Sequence, residues 1–77
     1  MEIKARIPGK ILDIQMREGE HADAGATAVI LEAMKMENPI MVPVPCTITK
    51  IFVRPDDKVR IGQVLLEINP DTFRHGK

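Results

Sequence analysis

Lys35 stands between Met34 and Met36 in the run Glu32-Ala33-Met34-Lys35-Met36-Glu37, near the middle of a 77-residue chain. Strand-forming sequence enters this run as Ala28-Val29-Ile30-Leu31 and leaves it as Pro39-Ile40-Met41-Val42. Two such segments joined by a short connection read as a β-hairpin, with Met34 and Lys35 at its tip. Two-residue hairpin turns need positive φ and favour Asn, Asp or Gly. Unbranched Met and Lys are poor choices for stability there. With them at the tip, Ala33 falls opposite Met36 and Glu32 opposite Glu37, and a like-charge pair of that kind costs up to about 1 kcal/mol. Local rules tend to be broken at functional sites. The chemistry on offer is that of an amine on a long stem, which an activated carboxylic acid can convert to a stable amide. The amine must be deprotonated to attack, and its reference pKa is about 10.4, so the enzyme that modifies it has to supply the base.

Other chemistries find less support. A Schiff-base lysine needs a desolvated pocket, and a hairpin tip on so small a chain does not provide one. The chain has no serine, which excludes serine nucleophile chemistry. His21 and His75 are far apart, with no cluster of zinc-ligand spacing around either. Cys46 is the single cysteine, so no intramolecular disulfide can form, and a reducing compartment is expected. Eleven basic residues balance eleven acidic ones, and Phe52 and Phe73 are the only aromatics. Neither an electrostatic footprint nor a base-stacking platform for nucleic acid is present. No apolar run approaches the ~20 residues of a membrane span, and the N-terminus lacks a signal-peptide core. The expectation is a cytoplasmic domain, free or cut from a larger soluble protein, in which case an organelle interior is the alternative.

The elements that must position Lys35 are short strands. Ile3–Ile7 alternates apolar and polar, Pro8-Gly9 is a turn signal, and Lys10–Met16 gives a second strand. Arg17-Glu18-Gly19-Glu20 is a turn, and His21–Ala26 is weakly patterned around Gly25. Thr27–Ala33 and Met36–Val42 flank the tip; alternation leaves open whether one of Met34 and Met36 turns toward the core. Pro39, Pro43 and Pro45 belong at edges or bends, because proline cannot donate to a ladder. Thr47–Val53 follows, then a turn at Arg54-Pro55-Asp56-Asp57 in which Pro presets φ. Gln63–Ile68 is the last strand, stopped by Asn69-Pro70. Residues 1–70 form one domain and 71–77 a flexible C-terminal tail. With no sustained helical period, the class is all-β, a sandwich or flattened barrel.

A shift of 37 residues lays the chain on itself: Pro8 on Pro45, Ile11 on Ile48, Ile14 on Ile51, Arg17 on Arg54 and Gly25 on Gly62. Two copies of a four-strand unit would bury each other's apolar faces, neither being long enough for a core alone. Lys35 lies on the link between the copies. A pseudo-two-fold axis would put that link and the chain ends at opposite ends of the molecule.

Glu32-Ala33-Met34-Lys35-Met36 resembles the attachment motif of biotinyl carrier domains, the biotin carboxyl carrier branch of the biotin/lipoyl attachment family. Ile7-Pro8-Gly9-Lys10-Ile11, Arg17-Glu18-Gly19-Glu20, Gly25 and Gly62-Gln63-Val64-Leu65 resemble further elements of that family, so the likeness covers roughly residues 3–69. It implies a flattened barrel of two four-stranded antiparallel sheets with biotin amide-linked to Lys35 on a protruding hairpin. Met34 and Met36 would be flanking recognition residues, with Ala33 and Glu32 as further recognition candidates. It implies a non-catalytic carrier that shuttles a carboxyl group between biotin carboxylase and carboxyltransferase sites, is modified by a biotin protein ligase, and is monomeric in isolation. The lipoyl branch prefers Asp-Lys-Ala around its lysine, so Met34-Lys35-Met36 favours biotin, with a lipoyl or dual carrier as the alternative; an unmodified β-sandwich adaptor using its methionines against a partner is another. Cys46 and Asp56 stand where the family usually has glycine, and Ala22 and Ala28 where it has larger apolar residues, which puts local packing in question.

Overall fold

The computed structural model describes residues 1–71. They form β1 (Glu2–Lys4), β2 (Gly9–Ile14), β3 (His21–Ala22), β4 (Thr27–Ala33), β5 (Met36–Met41), β6 (Cys46–Ile51), β7 (Lys58–Val59) and β8 (Val64–Pro70). These make two four-stranded sheets, ordered β1-β8-β6-β3 and β5-β4-β2-β7, in which every neighbouring pair is antiparallel. The expected class, all-β with two four-stranded sheets, is the observed one.

The repeat runs through the whole architecture. Adding 37 to the residue numbers of β2, β3 and β4 gives β6, β7 and β8, and carries β1 onto the second half of β5. The sheet orders map onto each other under the same operation. Register shifts recur too, between Ile11 and Asp13 in β2 and between Ile48 and Lys50 in β6. One extra residue there bends each long strand and raises its twist. Each sheet draws two strands from each half of the chain, so the halves interlock rather than stack. Neither half could close a sheet without the other.

The core follows from the same symmetry. Ile11 and Ile48 are fully buried equivalents, as are Val29 with Leu66 and Leu31 with Ile68. Each side chain of this size contributes about 1.5–3 kcal/mol on burial. Elsewhere the equivalents differ in size: Ala5 corresponds to Val42, Ala22 to Val59 and Ala28 to Leu65, all buried. The alanines at positions 22 and 28 thus leave no gap in the apolar pattern. A small residue in one copy is matched by a larger one in the other, and cores tolerate such exchanges when total volume is kept.

Four turns with one geometry set the loops. In each, the fourth residue's N–H donates to the first residue's carbonyl, and φ is positive at the third: Arg17–Glu20 with Gly19, Asp23–Ala26 with Gly25, Arg54–Asp57 with Asp56, and Arg60–Gln63 with Gly62. Positive φ at the third position alone is the type II pattern. At Asp56 φ is 77°, a region that Asp enters more readily than most side chains. Three of these turns are also clasped from outside, because Glu20, Asp57 and Gln63 accept from the N–H of Arg17, Arg54 and Arg60.

Several boundaries differ from the sequence reading. Strand β1 stops at Lys4, and Gly9 opens β2 instead of making a turn. Residues 5–8 cross from one sheet to the other, pinned by the Ala5 N–H on the Gln63 carbonyl and the Gly62 N–H on the Ala5 carbonyl. Gly9 is needed for close approach, since a Cβ there would overlap the Glu32 carbonyl oxygen. Its counterpart Cys46 has no positive φ, and its side chain is fully buried in the core. Only the tip-proximal copy therefore requires glycine. Strand β8 runs on through Asn69 to Pro70, opposite Thr47 and Cys46. The Asp71 N–H donates to the Pro45 carbonyl, and its carboxylate meets His21, so Asp71 is tied to the domain. The rest of the expected tail, 72–77, lies outside the described residues.

Strand β5 leads away from the Lys35 tip, and after four intervening residues the chain enters β6 at Cys46, the partner of Pro70. The Met1 ammonium donates to the Ile68 carbonyl nearby. Both ends of the domain therefore lie away from the tip, as the pseudo-two-fold relation required.

Candidate functional site

The site is built on the β4–β5 hairpin. Ala33 pairs with Met36 and Glu32 with Glu37, so Met34 and Lys35 are its two tip residues. Their φ angles are 53° and 63°. Positive φ at both central positions is the type I′ turn, whose twist matches that of the flanking strands. The left-handed region costs an L-residue about 1–2 kcal/mol, and the tip holds two such residues side by side.

Strand β4 stays rooted in the sandwich along most of its length. Val29 and Leu31 are in the core, and Ala33 is still buried at the last position before the turn. On one side β2 supports it, with Ile11 against Leu31 and Lys10 against Glu32. On the other, β5 is an edge strand, which is where Pro39 is tolerated. The Asn38 side chain ties that edge down, its Nδ2 donating to the Met36 carbonyl at 3.1 Å.

Lys35 is exposed, and no other described residue forms an ion pair or hydrogen bond with its Nζ. Met34 is 85% exposed and Met36 66%. Alternation left open whether one methionine packs in the core or both serve recognition; neither packs in the core. Met36 lies directly opposite buried Ala33 and so on the same face of the hairpin, yet it remains open. Among the described residues none covers a long side chain at this last rung of the hairpin. Glu32 is exposed and Ala33 buried, so only Ala33 shapes the root of the tip from inside.

Sequence reasoning missed the floor beside the tip. Pro8, Lys10, Lys58 and Val59 line one shallow groove with Met34 and Lys35. Strand β7, which brings Lys58 there, is two residues long and comes from the distant second repeat. No local motif announces it; the signal is the register Gly9–Val59 and Lys10–Lys58.

An open amine at a projecting hairpin tip, unpaired among the described residues, can be modified and presented.

The comparisons with known proteins agree. The family model described as "Biotin-requiring enzyme" matches residues 1–68, and the chain belongs to that biotin/lipoyl attachment family. Within it, the chain is a biotin carrier domain of the carboxylase kind, non-catalytic by itself. It is 34% identical over 70 residues to a pyruvate carboxylase of Staphylococcus aureus, covering 91% of this chain and 6% of that one. It is 29% identical over 68 residues to the "Biotinylated protein TB7.3 homolog" of Mycobacterium leprae, covering 88% of this chain and 96% of the relative. A solved long-chain acyl-CoA carboxylase, single-chain and multi-domain, superposes with a TM-score of 0.88 at 30% identity, over 92% of this chain and 7% of that one. The chain thus spans a small part of the carboxylases it resembles and almost the whole of the mycobacterial protein.

Proposed function

We propose that the chain carries biotin in amide linkage on Lys35 Nζ and presents it in turn to a biotin carboxylase and a carboxyltransferase. The exposed Lys35 at the apex of a type I′ turn carries this reading. When bound, biotin supplies the atoms that take up and release the carboxyl group, while the protein supplies attachment and position. The chain's residues fit that group. Lys35 gives an unhindered amine at the end of a long stem. The rooted β4 holds the attachment point clear of the sandwich, and Met1 and Pro70 lie away from the tip. Met34 and Met36 offer adaptable apolar contact on either side of the lysine. Buried Ala33 keeps the root of the tip narrow, and Glu32 adds a charge that partners can read.

A biotin protein ligase installs the group and supplies the base that deprotonates Lys35. The domain works as a monomer in a reducing, cytoplasm-like compartment. Relatives include a glutaconyl-CoA decarboxylase gamma subunit of Acidaminococcus fermentans, 49% identical over 39 residues, which span 51% of this chain and 27% of that subunit. A decarboxylase takes a carboxyl group from its acyl-CoA, so the substrate that exchanges a carboxyl group with the biotin arm is an acyl-CoA or a 2-oxo acid.

The test is intact-mass analysis after incubation with biotin protein ligase, ATP and biotin, with a parallel lipoate ligase reaction. One biotin adduct mapped to Lys35 by fragmentation is the expected result. A lipoyl adduct alone, or a biotin adduct on another lysine, refutes the assignment.

A further inference from the structure

One rung below the tip, four charged residues lie in line across a whole sheet. Glu37 pairs with Glu32, Glu32 with Lys10, and Lys10 with Lys58, spanning β5, β4, β2 and β7 in order. Directly paired residues share a sheet face. This is the outer face, because the next rung, through Leu31 and Ile11, points into the core. The row is polar along its length: two carboxylates on β5 and β4, two ammonium groups on β2 and β7. Both same-sign pairs are direct neighbours, an arrangement that costs stability in the isolated domain. The one opposite-sign pair is not closed into an ion pair; among the described residues those within 4.0 Å are Lys4 with Glu2 and His21 with Asp71. Lys10 and Lys58 also line the groove that reaches Lys35.

We propose that this row is an orienting surface for the enzyme that acylates Lys35, whose rim presents basic groups opposite Glu37 and Glu32 and carboxylates opposite Lys10 and Lys58. The inference rests on the Lys35 reading and adds the role of Lys10 and Lys58 and the direction of docking. Charge complementarity argues for it. A surface with net attraction to an acidic or a basic patch would need only one sign. A row with both signs, separated in space, discriminates between the two ways round that a symmetric-looking hairpin could enter a cleft. Like charges left adjacent and unpaired in the free domain become complementary pairs only when a partner of reversed polarity covers them. Charges of this kind, exposed at Glu32, Glu37 and Lys58 and half-buried at Lys10, act mainly on encounter rate and are screened by salt.

The experiment reverses the polarity without changing net charge: Lys10→Glu, Lys58→Glu, Glu32→Arg and Glu37→Arg in the 77-residue chain. Arginine is used because it cannot be biotinylated. Biotin transfer by a biotin protein ligase is followed at low salt and near 1 M salt, with Lys58→Glu alone as a milder variant on the exposed edge strand. The folded state of each is verified by its amide NMR spectrum. The expected result is a fall in kcat/KM of about tenfold or more at low salt for the reversed row and about two- to fivefold for Lys58→Glu, carried by KM and salt slope with kcat little changed. Near 1 M salt the variants converge on the parent. Parent-like kcat/KM at low salt in the folded variants overturns the proposal, as does a loss that salt leaves unaltered. If the parent chain itself takes no biotin on Lys35, the carrier reading fails first; if the parent is modified and the variants match it, only the orienting row fails.

Discussion

Replacing Lys35 by glycine is predicted to make the domain more stable while ending its use as a carrier. At φ 63° the Lys35 backbone sits where a Cβ is penalised by about 1–2 kcal/mol. Glycine removes that penalty but adds freedom to the unfolded chain, which takes back about 0.4–1 kcal/mol. The side chain beyond Cβ is exposed and forms no hydrogen bond or ion pair among the described residues, so its loss is nearly neutral. The net gain is about 1 kcal/mol. The proper reference is Lys35→Ala, which deletes the same long side chain but keeps the Cβ and therefore the strain. For a domain of this length, about 1 kcal/mol corresponds to a rise in Tm of roughly 4–8 °C. Thermal unfolding by circular dichroism, with urea unfolding to check that the m-value is unchanged, measures the difference. The expected order is Lys35→Gly above Lys35→Ala, with Lys35→Ala close to the parent. A glycine variant equal to or below the alanine variant would refute the claim that the tip stores backbone strain. The same reasoning applies to Met34 at φ 53°, although two adjacent turn residues need not add.

Four further outcomes follow from the same structure. Lys35→Arg keeps the fold and takes up no biotin, because a guanidinium stays protonated and does not form the amide; mass analysis after ligase treatment checks it. Gly9→Ala drives a methyl group into the Glu32 carbonyl and forces β2 from β4, lowering Tm well beyond an ordinary surface change and weakening amide-exchange protection along both strands. Ile48→Ala empties a fully buried site and costs about 2–5 kcal/mol by urea unfolding. The Asp71 carboxylate 3.0 Å from His21 raises the imidazole's pKa above its ordinary 6.5, chiefly by hydrogen bonding, with the charges of Asp71 and Asp23 adding to it against some desolvation. A raised pKa in the folded state contributes stability that is fully present below pH 6.5 and is lost as pH climbs through the folded value. Asp71→Asn should therefore lower stability below pH 6.5 and converge on the parent once the pH has passed the raised folded-state value, as seen in paired denaturation curves.

Much of the candidate site could be read from the chain. The Met34-Lys35 tip, the pairing of Ala33 with Met36 and Glu32 with Glu37, and the bounds of β4 all followed from local pattern, and the structure has them so. They were legible because a hairpin's register depends only on its own turn and the residues beside it. The exposure of Met36 was not legible, since period-two alternation says which face a residue is on but not whether a second sheet extends far enough to cover that face. Gly9 was misread for a related reason. Its glycine requirement comes from the Glu32 carbonyl, which is distant along the chain, and Pro8 beside it imitates a turn.

The 37-residue repeat was determined by the sequence alone, down to the turns and the buried Ile11 and Ile48. Only the tertiary structure decided that the repeats interlock, each sheet taking two strands from each half. Only the structure put Lys58 of the second half in line with Lys10, Glu32 and Glu37 of the hairpin region. Periodicity along a strand reports which residues face inward; it does not report which strands become neighbours. That choice rests on burying both halves' apolar faces at once, which is a property of the whole chain.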